Sequence, residues 1–205
     1  NDKEVRVWTK VGRIIKQQED VEEGDVVEEE NLAGHPSNIF PETSIDVAPV
    51  LDYTAEGVRK SHVGSSQRIE APIYGLRVHD CEDEWRLNNT LASNGAIEGL
   101  VAMRKEGLIK HVSLGLNSPE FALKVLHAFP PGTIDSVMIA NSWNLLDQTA
   151  GVLLAECVRL GVQVHNAGIF ASGMLVGANK YRYDAPPTEI SERTEAWGKL
   201  AAKYA

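Results

Sequence analysis

The sequence predicts an α/β fold built on a parallel sheet, and three observations carry that reading. Runs rich in β-branched residues recur without polar alternation, the pattern of strands buried on both faces. Helical patterns with recognisable starts and stops lie between them. The composition, 43% hydrophobic and 24% charged over 205 residues, is an ordinary soluble one with enough apolar residues for a sizeable core.

The first run is VRVWT (5–9), and Lys10 follows it directly. The next, IYGLRV (73–78), begins 68 residues after Val5. Most of that interval, roughly 13–52, is polar and carries the turn signals GHPSN, FPETS and APVLDY. Within it QQEDVEEGDVVEEE (17–30) holds eight acids and no base, and reads as part of a long, solvated acidic loop. Residues 17–50 are therefore expected to include exposed or poorly ordered segments. A helix, TAEGVRKSHVGSSQ (54–67), fills the end of the interval.

The remaining runs are HVSLGL (111–116), IDSVMIA (134–140) and GVQVHNA (161–167). AIEGLVAMRKEG (96–107) has an apolar stripe and a Gly107 stop. SPEFALKVLHAF (118–129) opens with Ser118 as N-cap, Pro119 in the first turn and Glu120 at the positive end of the dipole. DQTAGVLLAECVRLG is predicted as a helix from Asp147 to a stop at Gly161, and a last helix is SERTEAWGKLAAKYA (191–205). Strand and helix alternate as in a run of βα units, with at least five parallel strands in a single domain, 1–205. A doubly wound sheet and a (β/α)8 barrel both fit. No GxGxxG follows the first strand and GxxxxGK[ST] is absent, so neither phosphate-binding motif has support.

Several classes are disfavoured by bulk properties. A net charge of −9 argues against a nucleic-acid surface. The sequence has no run of 18 apolar residues, and NDKEVRVWTK lacks the apolar stretch of a signal peptide. Two cysteines, Cys81 and Cys157, are too few for a disulfide framework. The expectation is a cytoplasmic protein without membrane or nucleic-acid partners.

Strand ends then become informative, because barrel chemistry sits at the carboxyl ends of the strands. The tips carry Lys10, then the pair His79-Asp80, then Asn117, then Asn141-Ser142-Trp143-Asn144, then Asn166. Asparagine offers donors and an acceptor without charge, which suits an amide-bearing ligand such as nicotinamide. A metal site at His79 and Asp80 would need further ligands at other tips, where asparagine stands instead. His35, His62, His111, His127 and His165 read as surface, loop or strand-interior residues, and Cys81 as a small buried filler.

The stretches VWTKVGR (7–13), LDYTAEGVRKS (51–61), YGLRVHD (74–80), EGLVAMRKEGLIKHVSLGLN (98–117), WNLLDQTA (143–150) and NAGIFASGMLVG (166–177) resemble the aldo-keto reductases, in their aldose 1-dehydrogenase branch. The resemblance covers most of the chain, and TKVGR, VHD and NLLDQ together are its specific part. It implies a (β/α)8 TIM barrel, NADP or NAD as cofactor without a Rossmann fold, and a small sugar or carbonyl substrate. Lys10 and His79 match two members of the family's catalytic Asp-Tyr-Lys-His set, so they are expected to face a common cavity at the ends of adjacent strands. Asn117 matches the asparagine that holds the nicotinamide carboxamide, and Trp143 the aromatic residue beside the nicotinamide. Ala140 and Asn166 belong to the same cofactor region.

The sequence also departs from the pattern. In the family the lysine strand is the third, so the chain is expected to hold about five βα units of eight, the third to the seventh. Tyr53 and Tyr74 lie in the wrong context to be the catalytic tyrosine. The Asp and Tyr are then expected outside this chain, which alone would not transfer hydride efficiently. Leu116, Ala140 and Ala167 replace the family's frequent serine, glutamine and ring-stacking tyrosine. The alternative is an incomplete barrel or paralogue that binds a ligand or partner. If full length, a monomer or weak homo-oligomer is expected.

Overall fold

Each apolar run becomes a strand: β5 gains His79 at its end, while the runs at 134–140 and 161–167 each lose their first two residues. The computed structural model describes residues 5–40, 42–182 and 184–204; Pro41 of the FPETS turn and Ala205 of the last helix lie outside the described residues. In chain order the elements are β1 (Val7–Val11), β2 (Arg13–Gln17), β3 (Val26–Val27), β4 (Val47–Leu51), α1 (Ala55–Arg68), β5 (Ile73–His79), α2 (Glu84–Leu91), α3 (Ala96–Lys105), β6 (His111–Leu116), α4 (Pro119–Ala128), β7 (Ser136–Ala140), α5 (Gly151–Leu160), β8 (Gln163–Ala167) and α6 (Thr188–Tyr204). Strands β1, β5, β6, β7 and β8 belong to a parallel sheet, the α/β pattern expected. The described helices are all too short or too polar to cross a membrane.

The chain divides into two compact units, 1–114 and 115–205. In the first, β1 pairs in parallel with β5, with Lys10 opposite Arg77 and Val11 opposite Val78. Alternate residues of a strand point to opposite faces. Val11, Leu76 and Val78 are fully buried, as are Val58 of α1 and Ile97, Leu100 and Met103 of α3. Gly99 permits the approach of α3 to α1, since a Cβ there would stand 2.7 Å from the Ala55 Cα. Burying a side chain the size of Leu100 contributes about 1.5–3 kcal/mol. Thr54 caps α1 by accepting from the Gly57 N–H, so the helix itself starts one residue after it.

The acidic excursion is not a loop throughout. It contains a three-stranded antiparallel sheet in the order β2-β4-β3. Many of its side chains are exposed, but Ala48 and Val50 are buried. Three further details differ from the sequence reading. Strand β1 runs to Val11, because Lys10 pairs within it instead of following it. A short helix, α2, follows the β5 tip with Asp83 as its cap, accepting from the Arg86 N–H. Helix α5 starts at Gly151, because the Asp147 carboxylate is spent on a turn with the Thr149 N–H and hydroxyl.

The second unit holds α4, α5 and the parallel pair β7–β8, in which Ile139 faces Asn166 and Ala140 faces Ala167. Ser118 caps α4 and Pro119 occupies its first turn. Gly161 ends α5 at φ +69°, the left-handed position that favours glycine. Leu146, Ala171 and Met174 form a small core with Leu175, Tyr181 and Ile190 of α6 against it.

Candidate functional site

In the first unit the chemistry gathers where β5 ends. His79 is its last residue, and Asp80 turns the chain at φ +52°. The His79 Nδ1 lies 3.0 Å from Asp80 Oδ2. Arg13, two residues past β1, brings Nη1 to 3.0 Å from the same oxygen and 3.2 Å from Nδ1. Burial works against the Asp80 charge, but the His79 hydrogen bond and the Arg13 guanidinium outweigh it and hold the carboxyl down at about 2. The Arg13 guanidinium is itself gripped by Glu28, which is 3% exposed. Burial opposes the Glu28 charge too, and Arg13, Asn31 and Arg86 overcome it, so its carboxyl also sits below its usual range.

Lys10 lies on the strand beside β5 and is exposed. Its register partner is Arg77, and the two-residue repeat puts His79 on the same face as both. Arg77 is buried, stacks over the Trp8 ring at 4.4 Å and donates to the Ser113 hydroxyl at 2.9 Å. Burial lowers the Arg77 guanidinium to about 10.

Tyr53 acts as a bolt behind the tip. Its hydroxyl donates to the His79 carbonyl at 2.6 Å, and burial pushes its pKa up despite Arg13 and Arg86 nearby. The hydroxyl is thereby committed to the backbone of the β5 tip. Gly12 makes the approach possible: at φ +113°, a Cβ there would stand 2.6 Å from the Tyr53 ring. Cys81 is buried, and burial raises its thiol to about 12, so it is an inert filler. Among the described residues there is no group of three or more metal-ligating side chains.

In the second unit the strand tips are neutral. After Ala140, Asn141 turns the chain at φ +60°, and its N–H donates to the Ala167 carbonyl at 3.0 Å. Ser142 is buried and donates to the Asn117 carbonyl at 2.7 Å. Asn117 is exposed at the start of α4, and Trp143 is 37% exposed. Asn166 does not end β8, which runs one residue further; its amide donates to the Trp143 carbonyl at 2.8 Å. Asn144 ties the loop, accepting from the Leu146 and Asp147 N–H groups at 2.8 and 3.0 Å. Ser142 is thus tied to the Asn117 and Ala140 carbonyls, and Asn166 to the Trp143 carbonyl. These are uncharged amide and aromatic surfaces, chemically suited to a flat, amide-bearing ring.

Sequence reasoning named Lys10, His79, Asn117, Trp143, Ala140 and Asn166, but not the Arg13–Glu28–Arg86 network. Arg13 stood within the TKVGR stretch without a role. Glu28 had no signal, being one acid among eight.

The sequence profile of the aldo/keto reductase family matches residues 2–205. No curated protein sequence matches the chain. Among solved structures, glycerol dehydrogenase from Gluconobacter oxydans superposes with a TM-score of 0.63 at 16% identity, covering 100% of this chain and 57% of that one. At that identity the likeness concerns the fold alone. The holo form of an aldo-keto reductase from Bacillus halodurans matches less fully, with a TM-score of 0.48 and 20% identity over 60% of this chain and 40% of that one. The chain therefore spans little more than half the length of the glycerol dehydrogenase it matches.

Proposed function

The chain belongs to the aldo/keto reductase family, and from that premise we propose that the protein carrying it is an NAD(P)-dependent oxidoreductase that oxidises an aldose at C1, or reduces the corresponding carbonyl. The observation that carries this reading is the β5 tip. A histidine whose Nδ1 is occupied by Asp80 and Arg13 ends a strand on the same face as a lysine of the adjacent parallel strand. Such a ring has only Nε2 left to meet a substrate oxygen.

The dinucleotide, NADP or NAD, supplies the hydride acceptor or donor when bound. Asn117 would meet the nicotinamide carboxamide with its own amide, and Trp143 would offer its exposed ring. Ala140 would border the nicotinamide ring with its small side chain, and Asn166 steadies Trp143 through its carbonyl. His79 orients a substrate hydroxyl through Nε2. Lys10 supplies a cation that favours ionisation of the acid-base tyrosine the family uses, a role Tyr53 cannot fill. We further propose a single partial barrel domain, a cytoplasmic setting, and a monomer or weak homo-oligomer acting on small sugars.

The test is titration of NADP and NAD into the full-length protein, followed by nicotinamide fluorescence, and steady-state turnover over a panel of aldoses and simple carbonyls. Saturable binding with aldose-dependent turnover is expected. Absence of dinucleotide binding removes the oxidoreductase reading. Binding with turnover of simple carbonyls but no aldose removes the substrate assignment alone.

A further inference from the structure

Glu28 follows β3 in the most acidic part of the sequence, yet its side chain is 2% exposed. Both carboxylate oxygens are used. Oε2 accepts from Arg13 Nε at 2.5 Å and Asn31 Nδ2 at 2.6 Å, and Oε1 accepts from Arg13 Nη2 at 2.6 Å and Arg86 Nη2 at 3.0 Å. Its backbone N–H donates to the Pro49 carbonyl at 2.9 Å, which anchors it to β4. The two parallel bonds to Arg13 fix the plane of the guanidinium and leave Nη1 as its remaining arm.

That arm decides the environment of His79. Nη1, the Asp80 Oδ2 and the His79 Nδ1 stand in a triangle with sides of 3.0, 3.0 and 3.2 Å, the long side joining the two nitrogens. An ionised oxygen between two nitrogens is best served when both donate to it. A bare Nδ1 would turn its lone pair toward the Asp80 oxygen, which is repulsive at this distance. With both nitrogens aimed at that oxygen, the geometry favours the proton on Nδ1 in the neutral ring, with Nε2 as the acceptor.

We propose that Arg13 and Glu28 are positioning residues: Glu28 of the acidic excursion clamps Arg13, Arg13 holds Asp80 against Nδ1, and the tautomer of His79 is thereby set from outside the parallel sheet. The consequence for function rests on the oxidoreductase reading. In that reading a bare Nε2 accepts from a neighbouring hydroxyl of the sugar and so orients it, while the hydroxyl being oxidised gives its proton to the acid-base tyrosine. The other charged and titratable groups around the tip are Lys10 on β1, Tyr53 behind the His79 carbonyl, and Asp83 and Arg86 at the start of α2.

The test reads the ring directly, without cofactor or substrate. Protein labelled with nitrogen-15 histidine is studied by two-bond nitrogen–proton correlation at about pH 8, above the ordinary histidine range. His79 is identified by its loss in His79→Gln. The expected wild-type spectrum is that of the Nδ1–H form. In Glu28→Gln the clamp on Arg13 loosens, and the dominant Nδ1–H signal is lost toward the Nε2–H form that a free histidine prefers. Arg13→Lys keeps the charge but lacks the fork, and shifts the same way; it decides the matter if Glu28→Gln does not fold. Asp80→Asn also flips the ring, because its amide can donate to Nδ1, as an Asp-to-Asn exchange does beside a catalytic histidine elsewhere. A wild-type ring in the Nε2–H form overturns the proposal, and so does an unchanged tautomer in folded Arg13→Lys. A protein that binds no dinucleotide yet shows these shifts loses its proposed activity but keeps this network.

Discussion

Two strand tips of this chain solve the same backbone problem with opposite chemistry. The chain leaves β5 through Asp80 at φ +52° and leaves β7 through Asn141 at φ +60°. Asp and Asn tolerate this left-handed position because their short side chains bond locally. From there the two diverge. At the β5 tip the side-chain network is charged: Arg13, Glu28 and Arg86 surround a histidine–aspartate pair. At the β7 tip the bonds are made by amides, a hydroxyl and backbone groups, and the Asp147–Arg182 ion pair belongs to the loop beyond. A buried charge network responds to pH and to the loss of any member, whereas neutral hydrogen bonds hold one shape. The charged tip is suited to chemistry on a substrate and the neutral tip to holding a ligand.

The comparison is broken most forcefully at His79. In the full-length protein, His79→Gln is expected to lower turnover about 10²–10⁴-fold, the usual range for a lost acid–base or orienting group, with little change in dinucleotide affinity. Steady-state kinetics beside a cofactor titration checks it. Equal losses in both would place His79 in binding instead.

Next in size is the bolt behind the charged tip. Gly12→Ala forces a side chain at φ +113° into the Tyr53 ring. It is expected to destabilise the fold by at least about 2 kcal/mol, from backbone strain and overpacking together. Urea unfolding measures it.

The third prediction separates the tips by pH. Asp80 is depressed from 3.8 to about 2 on folding, and Glu28 is also lowered. A depressed carboxyl contributes stability that is present in full above its unfolded value and disappears as pH falls toward its folded value. The Asp80 part, about 2 kcal/mol, is therefore lost between roughly pH 4 and 2. Asp80→Asn removes that share of the acid sensitivity in denaturant titrations. The smallest effect sharpens the contrast: Asn144→Ala deletes neutral bonds to the Leu146 and Asp147 N–H groups, costing about 1 kcal/mol, with no dependence on pH across that window.

What could be read in the sequence divides along the same physical lines. Strands β5 and β6 are largely buried on both faces, so their run pattern sufficed, and their tips exposed His79 and Asn117 as candidates. The excursion's sheet was not legible. β2 has two adjacent apolar residues among polar ones, β3 is two residues long, and β4 carries Pro49, which reads as a turn signal although its carbonyl serves Glu28. Helix α2, with Asn88, Asn89 and Thr90 in eight residues, has weak propensity and follows a cap recognisable only in place. The Arg13–Glu28 pair joins positions 15 apart through tertiary structure, which periodicity cannot encode. Lys10 was legible as a tip residue, but its place inside β1 opposite Arg77 depended on pairing with another strand.

The central claim is that the charged tip acts on the substrate and the neutral tip on the cofactor. The most direct measurement is a paired dinucleotide titration and turnover assay on full-length wild type, His79→Gln and Asn117→Ala. The account predicts that His79→Gln keeps cofactor affinity and loses turnover, while Asn117→Ala weakens cofactor affinity. Loss of cofactor affinity in His79→Gln, with Asn117→Ala indifferent, would contradict it.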